Sequence, residues 1–408
     1  MTSKQSKALK YFQFKRIIIP IIIGLSVAAY LLHRNLTEER YELSDSETAD
    51  YIWIDLNENN IPEVEEFFQV SPGEGTHVKL TYRDVLSDIE WQRYSLIWIF
   101  MSLVLMVIRD FAYMLRLRIM TDKQLSWRQC FECILLWEFA SAVTPSIVGG
   151  SAVAIFIINK EGISTGKSTA IVMVTAFLDE LFYILMVPII FLLVRHGNIF
   201  PQDTNFAIFN TQFGAQGIFI IGYVFILILT SIILYAVFFN PRGFKALLLW
   251  IFKIPFIRKW RPKANETGDD IITTSKEMRS KPFVFWLKAF GATFMSWTAR
   301  FWVVNCLIMV FITVQDHFLI YARQLVMWVI ILISPTPGSS GIAEFVFTDF
   351  LRDFIPVGLS PAIALLWRLI SYYPYLFIGV IILPHWLRRV YKTKKKLKQL
   401  EQQEGQAV

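Results

Sequence analysis

Charged residues interrupt the apolar stretches of this chain. A charge at the centre of a bilayer costs about 2.5 kcal/mol or more, and such residues normally face the interior of a helix bundle. A guanidinium presents several donors in a planar fork that suits phosphate oxygens. We therefore expect the arginines to bind an anionic group and the carboxylates to provide charge balance or proton coupling. The arginines are Arg109, Arg300 and Arg368, and the carboxylates are Asp110, Glu138, Asp179, Glu180 and Glu344.

The alternative for each of these residues is an internal ion pair that locks two helices together. Arg109 lies nearer the inner end of its apolar stretch and could extend its head group to the interface. Arg300 and Arg368 lie near the middle of theirs, where no such route exists.

A Thr-Pro pair followed by glycine breaks the apolar sequence twice, at Thr144 and at Thr336. Broken backbone at membrane depth persists only where protein or a water-filled cavity satisfies it. Two breaks at corresponding positions of two halves indicate a transport site. After each break, free N–H groups and the positive end of a helix dipole would favour an anion. The candidate binding residues are Thr144, Ser146 and Gly149 in the first copy, and Thr336, Gly338, Ser339 and Gly341 in the second.

The composition predicts an all-α polytopic membrane protein. The 408 residues are 55% hydrophobic and 15% aromatic, and several apolar runs are long enough to cross roughly 30 Å of hydrocarbon. A net charge of +7 could indicate nucleic acid, but the basic residues cluster in certain loops and in the C-terminal tail. This distribution is typical of cytoplasmic loops, so no nucleic-acid partner is expected. Cys130 and Cys133 lie in an apolar segment, which favours packing, and we expect no metal or cofactor.

Charge also orients the predicted spans. The segment 33–93 is acidic and is placed outside, whereas 241–282 and the tail 387–408 are basic and are placed inside. Short apolar arms flank each Thr-Pro break. If the first pair of apolar arms crossed the membrane completely, Lys160 and Lys167 would lie outside. Each pair of arms is therefore predicted to form a re-entrant hairpin. The full spans are predicted at 17–32, 94–117, 168–194, 217–239, 282–311 and 361–383.

The predicted protein therefore has about six full spans plus two re-entrant hairpins, in the cell inner (cytoplasmic) membrane, with N- and C-termini cytoplasmic. Two basic groups are assigned to the inner surface. The first ends the 94–117 span, and the second is an interfacial helix over 244–260. The first group consists of Arg116, Arg118, Lys123 and Arg128.

The two halves are predicted to be inverted repeats. Thr144 matches Thr336, Gly149 matches Gly341, Tyr183 matches Tyr375, and Arg109 falls one residue from the equivalent of Arg300. The predicted organisation is an N-terminal membrane anchor (1–32), an acidic extracytoplasmic loop (33–93), a first repeat (94–195), a connecting loop and span (196–240), a basic cytoplasmic loop (241–282), a second repeat (283–386) and a polybasic cytoplasmic tail (387–408).

The element Ser334-Pro335-Thr336-Pro337-Gly338, followed by Gly341 and Glu344, resembles the lysylphosphatidylglycerol synthase transmembrane, or flippase-like, family. The resemblance extends over roughly residues 94–385. It implies a membrane lipid translocase that moves an anionic phospholipid or a polyprenyl-phosphate lipid between leaflets. Family members usually have Gly-Gly after the second Thr-Pro, whereas this chain has Gly338-Ser339.

Two other functions remain open. A small-solute or ion transporter would use inverted hairpins equally well. An integral-membrane lipid-linked transferase would need an Asp-x-Asp motif or a His/carboxylate cluster; no Asp-x-Asp occurs, and the five histidines are scattered. A non-enzymatic translocase is therefore the expectation.

Overall fold

The computed structural model describes residues 40–44, 49–56, 64–80, 94–144, 149–194, 199–201, 205–208, 211–256, 258–332, 334, 336–356 and 359–404, with a few positions between 22 and 33. The predicted anchor over 1–32 and the candidate Ser146 therefore fall mostly or wholly outside the described residues. The described chain is predominantly helical.

A small antiparallel sheet forms within the acidic segment, where only a loop was predicted. Its strands are β1 (Arg40–Leu43), β2 (Tyr51–Trp53), β3 (Phe67–Gln69) and β4 (His77–Leu80), in the order β1-β4-β2-β3. Aromatic and β-branched residues suit a pleated surface, which accounts for strands at β2 and β3. The Trp53 indole donates to the Glu66 carboxylate at 2.9 Å. The expectation of an all-α fold thus holds for the apolar part of the chain only.

Four helices lie within the described residues from 94 to 194. They are α1 (Ser95–Met120), α2 (Trp127–Val143), α3 (Gly149–Lys160) and α4 (Thr165–Leu193). Helix α2 begins with a capping box between Ser126 and Gln129, and its C-cap is Thr144, the first residue of the first Thr-Pro break. Helices α2 and α3 pack against each other.

The connecting region forms a hairpin and three helices. Strands β5 (Asn205–Ile208) and β6 (Thr211–Gly214) lead into α5 (Ala215–Leu234), which continues as a π-helical turn, Tyr235–Phe239. Helix α6 (Pro241–Ile251) is shorter than the predicted 244–260 helix, because Pro255 disfavours helical backbone at the residue before it. Helix α7 (Arg261–Arg279), which was not predicted, packs against α4.

Ion pairs hold α7 and the residues after it at one end of the bundle. The Lys167 ammonium lies 3.1 Å from the Glu277 carboxylate, and the Lys281 ammonium lies 2.6 Å from that of Asp122. Burial raises the pKa of Asp122, but the hydrogen bond and charge of Lys281 outweigh it and hold that pKa below its ordinary value. These contacts tie the connecting region to the turn after α1.

Five helices complete the chain. They are α8 (Phe283–Met309), α9 (His317–Leu332), α10 (Ile342–Leu351), α11 (Ser360–Ser371) and α12 (Tyr373–Glu404). The second Thr-Pro break separates α9 from α10, and these two helices pack against each other. The predicted span over 361–383 is divided at Tyr372, because Pro374 lacks an N–H and its ring crowds the preceding turn.

Among the described residues, four helical segments are long and apolar enough to cross a membrane: Ser95–Met120, Thr165–Leu193, Ala215–Phe239 and Ser360–Val390. The last of these comprises α11 and the first part of α12. The four segments coincide with four of the predicted spans and indicate a multi-pass membrane protein. The predicted span at 282–311 is the single 27-residue helix α8, which is not among the four. The count of six spans and the re-entrant path of the two hairpins remain predictions.

Helices α1 and α8 pack extensively and run antiparallel. The Ser95 hydroxyl near the start of α1 donates to the Val310 carbonyl after the end of α8, at 2.7 Å. The Ser296 hydroxyl in the middle of α8 donates to the Arg109 carbonyl at 3.2 Å. The first helix of each predicted repeat therefore lies against the other in the opposite direction.

A glycine in α12 brings that helix against α2. A Cβ added at Gly379 would lie 2.5 Å from the Cβ of Phe139, which is only 1% exposed. We expect Gly379→Ala to lower the free energy of unfolding by about 1–3 kcal/mol, because the buried ring has no room to move. Thermal unfolding of the purified protein in detergent would measure the change.

Gly291→Ala is the matched control. A Cβ at Gly291 meets no atom within 4 Å, so helix propensity should leave this variant equally stable or up to about 1 kcal/mol more stable. Equal stability of the two variants would contradict the close approach of α12 to α2.

Candidate functional site

The two Thr-Pro breaks meet inside the protein. The Gly338 N–H donates to the Thr144 carbonyl at 3.4 Å, so the end of α2 is joined to the turn before α10. The Tyr372 hydroxyl donates to the Ala142 carbonyl at 2.9 Å and accepts from the Ser340 hydroxyl at 3.3 Å. We call these five residues the break junction.

The second break turns through left-handed backbone. Gly338, Ser339 and Gly341 have φ values of +56°, +55° and +87°. Such a conformation costs a non-glycine residue about 1–2 kcal/mol. At Ser339, a hydrogen bond from its hydroxyl to the Ile331 carbonyl, at 3.3 Å, compensates in part. Ser339 therefore has a conformation that glycine adopts freely.

The backbone N–H groups of this turn already have partners. The Ser339 N–H donates to the Thr336 carbonyl at 3.0 Å, and the Gly341 N–H donates to the Glu344 carboxylate at 2.7 Å. The role predicted for them as donors to an anion remains a prediction. It would require these bonds, and that of Gly338, to open.

Arg368 holds the second break in place. Its Nε lies 2.9 Å from a Glu344 carboxylate oxygen, and its Nη2 donates to the Gly338 carbonyl at 3.0 Å. Nη2 also donates to the Ser340 hydroxyl at 3.2 Å, and the guanidinium lies 3.7 Å from the centre of the Tyr372 ring. Arg368 and Glu344 are both buried, so each neutralises the other away from water.

Arg109 is fully buried and does not reach the interface. Its guanidinium lies 2.7 Å from a carboxylate oxygen of Asp110 and 2.7 Å from one of Glu138. It also donates to the Tyr375 hydroxyl at 2.7 Å, and that hydroxyl donates to Asp110 at 2.8 Å. The alternative that Arg109 extends to the membrane surface is wrong, because two carboxylates compensate its charge in the interior.

Arg116 belongs to the interior and not to the cytoplasmic basic group to which the sequence analysis assigned it. Its guanidinium binds both carboxylate oxygens of Asp179, at 2.5 and 3.1 Å, and donates to the Thr293 hydroxyl at 3.0 Å. The Trp297 indole donates to the same carboxylate at 2.9 Å. Arg116 lies two helical turns beyond Arg109, on the same face of α1, and this spacing is the signal that could have identified it.

Arg300 is the least compensated of these arginines. Its Nη2 lies 4.0 Å from a Glu138 oxygen, and its Nε has no hydrogen-bond partner among the described residues. Its guanidinium carbon lies 5.2 Å from the centre of the Trp297 ring and 4.6 Å from that of Trp328. Aromatic faces attract a cation without neutralising it, so Arg300 keeps its charge available.

A cavity of about 240 Å³ lies beside the break junction. Its wall combines opposite charges with a largely aromatic surface, as ligand sites commonly do. The charged residues of the wall are Glu138, Asp179, Glu180, Arg300 and Arg368, and the aromatic ones are Tyr183, Trp297, Trp328, Trp367, Tyr372 and Tyr375.

Most of the predicted site residues lie in or next to this wall. Gly338 and Ser339 line the cavity, whereas Arg109, Asp110 and Glu344 bind to lining residues from behind. Thr144 belongs to the break junction, Thr336 and Gly341 flank the second turn, and Gly149 begins α3. Sequence analysis missed Arg116, Tyr372 and the two tryptophans beside Arg300. In the part of the chain that the structure describes, no three His, Cys, Asp or Glu side chains are grouped to hold a metal ion.

The fold and the site define a polytopic helical membrane protein whose two interrupted helix pairs meet at a charged internal cavity. The family described as "Lysylphosphatidylglycerol synthase TM region" matches residues 83–379, and the chain belongs to this family. The resemblance noted from the sequence is thereby confirmed. The chain is also similar to a "UPF0104 membrane protein" of Archaeoglobus fulgidus, with 26% identity over 311 residues, which are 72% of this chain and 89% of that protein. No solved structure matches.

The Arg368–Glu344 pair should be strongly coupled. Removing one partner leaves a buried charge uncompensated, so Glu344→Gln and Arg368→Met should each lower the free energy of unfolding by about 3–5 kcal/mol. The double variant should lose clearly less than the sum, because it leaves no isolated charge. Unfolding in detergent of the four proteins of this cycle would measure the coupling.

Lys245 and Asp269 form the matched control, since their ion pair lies on the surface, with the aspartate side chain 60% exposed. The same cycle there should give a coupling of about 0–1 kcal/mol. Simple additivity at Arg368 and Glu344 would show that the buried pair does not hold the second break.

Proposed function

We propose that this protein is a membrane lipid translocase that moves an anionic phospholipid or a polyprenyl-phosphate lipid between leaflets, without changing the covalent structure of the lipid. The main observation behind this proposal is the environment of Arg300. Its guanidinium charge is incompletely compensated, and it lies in the wall of the cavity at which both helix breaks meet. A phosphate oxygen of the lipid head group would complete its hydrogen bonding.

The size and surface of the cavity support a head-group site. About 240 Å³ accommodates a phosphate and a small alcohol but not acyl chains, which would remain in the surrounding bilayer. The rings of Trp297 and Trp328 flank the Arg300 guanidinium and restrict its orientation. Desolvated surroundings strengthen the attraction between guanidinium and phosphate.

The arrangement of the two halves supports alternating access. Each half contains a long helix followed by an interrupted pair, and the two long helices run antiparallel, as inverted repeats require. We propose six spans with two re-entrant hairpins, in the cytoplasmic membrane. The basic segments and both termini would face the cytoplasm, and the acidic segment would face outward. Opening the break junction on one side and then the other would expose the cavity to each leaflet.

A transporter of small organic anions is the second candidate. The observation that favours it is the same cavity volume, which admits a free phosphate or carboxylate compound as readily as a lipid head group. A competition experiment distinguishes the two functions. If the protein is a lipid translocase, a soluble anion that binds in the cavity would compete with the lipid but would not itself be transported.

Arg300→Gln should abolish lipid movement. The full chain would be reconstituted into proteoliposomes that contain acyl-labelled phosphatidylglycerol, and in a second series a labelled polyprenyl phosphate, and albumin would extract the label from the outer leaflet. With wild-type protein, the amount of inner-leaflet label that becomes extractable should be well above the amount in protein-free vesicles. The variant should fall close to that background, since its cavity lacks an available guanidinium.

Lys288→Gln is the matched control: it removes one positive charge from the same helix at an exposed position, so its rate should equal that of the wild type. Arg300→Lys should be intermediate, because an ammonium keeps the charge but not the planar fork. No movement of either lipid by folded wild-type protein, with uptake of a soluble phosphate compound, would replace the proposed function with the second candidate.

A further inference from the structure

The charged residues around the cavity do not balance. Four arginines and five carboxyl groups form the described wall and the ion pairs directly bound to it. The arginines, whose guanidinium groups stay protonated, are Arg109, Arg116, Arg300 and Arg368. The carboxyl groups are those of Asp110, Glu138, Asp179, Glu344 and Glu180. With every carboxyl ionised, the group carries one net negative charge.

Glu180 is the carboxyl in excess. Its residue is 8% exposed, it lines the cavity, and its Oε2 has no hydrogen-bond partner among the described residues. Each of the other four carboxyls lies within 3 Å of an arginine nitrogen. A buried ionised carboxylate without a partner is costly, whereas a protonated carboxyl in the same place is neutral.

No neighbour of Glu180 among the described residues is a hydrogen-bond or ion-pair partner for its carboxyl group. Asp179, on the same helix, is already bound by Arg116 and the Trp297 indole. The Tyr223 hydroxyl of α5 donates to the Ile184 carbonyl at 3.3 Å. Helices α3 and α7 and the π-helical turn pack against α4 but contribute nothing to the cavity wall. The other titratable or charged groups of the cavity wall are Glu138 on α2, Tyr183 on α4, Arg300 on α8, Arg368 on α11, Tyr372 between α11 and α12, and Tyr375 on α12. Tyr113 on α1 lies near Tyr183 and Asp179, and α9 presents the uncharged Trp328.

We infer that Glu180 binds the proton that accompanies each anionic head group, so that the protein moves one proton together with one negative charge. This inference rests on the proposed function. With Glu180 ionised, the group of charges is net negative and opposes an anion. With Glu180 protonated, the group is neutral, and Arg300 is free to bind the head-group phosphate.

The step balances without a further reactant. A proton from the aqueous phase on one side forms the O–H bond of the Glu180 carboxyl, and the phosphate enters. After the cavity opens to the other side, the anion leaves and that O–H bond releases its proton to the second aqueous phase. No net charge crosses the low-dielectric interior, which removes the largest electrostatic barrier to moving an anionic lipid.

The test measures movement of acyl-labelled phosphatidylglycerol in proteoliposomes at several pH values, equal on both sides. The phosphodiester of this lipid stays ionised throughout the pH series, so any change of the rate of lipid movement with pH arises from the protein. The wild-type rate should fall about tenfold per pH unit once the pH exceeds the pKa of the single carboxyl. Glu180→Gln mimics the protonated form, so its rate should stay constant through the series.

The matched control is Glu266→Gln, the same change at an exposed position, which should keep the pH profile of the wild type. A second measurement needs no variant. A pH gradient imposed across wild-type vesicles should drive labelled lipid into the leaflet on the alkaline side, with proton entry detected by a trapped pH-sensitive dye.

The outcomes separate the two proposals. Wild-type movement that ignores both pH and the gradient, or a Glu180→Gln variant that keeps the wild-type pH profile, would overturn proton coupling and leave the translocase intact. No lipid movement at any pH would overturn the proposed function itself. A loss of folding in Glu180→Gln would leave the gradient measurement to decide.

Discussion

Hydrogen bonds to backbone groups join the two helix breaks of this protein, and the cavity lies beside this junction. An unpaired peptide group in a buried position costs about 1–3 kcal/mol, and hydrocarbon offers it no partner. The Thr144 carbonyl accepts from Gly338, and the Ala142 carbonyl accepts from Tyr372, so groups released by the first break are bound by residues of the second half. The first break therefore depends on the second half for these hydrogen bonds, and the junction ties the two halves together.

The buried charges impose a second constraint, because most of them are neutralised by a residue on a different helix. Asp179 on α4 accepts two hydrogen bonds from Arg116 on α1, and Arg109 on α1 pairs with Glu138 on α2. Buried pairs of this kind add little net stability, but a wrong packing would leave a charge isolated at a much higher cost. Ion pairs therefore determine which helices lie beside the cavity.

The residues that could be predicted were those whose type contradicts their surroundings. Glu138 and Arg300 stand out as charges in apolar sequence, and Pro and Gly mark the breaks. Arg116 was grouped with cytoplasmic arginines, because a positive charge near the end of a span has the same appearance in both cases; only its spacing from Arg109 distinguishes it. The Tyr372 hydroxyl was hidden for another reason: an aromatic residue in an apolar helix is ordinarily a packing residue. Partner choice, such as that of Arg368 for Glu344, depends on tertiary packing that no local pattern encodes.

Arg300 and Glu180 depart from this rule of pairing, and they do so within one cavity. An ion pair between them would be the simplest way to neutralise both, yet among the described residues Glu180 has no such partner, and Arg300 has only a carboxylate at 4.0 Å that Arg109 binds more closely. Buried charges without a close partner are unfavourable for folding, and such exceptions are expected at functional sites. In the proposed mechanism, these two side chains share a cavity without forming an ion pair, so that an anion binds at Arg300 and a proton at Glu180. Those two ligands would offset the stability lost by keeping the side chains apart.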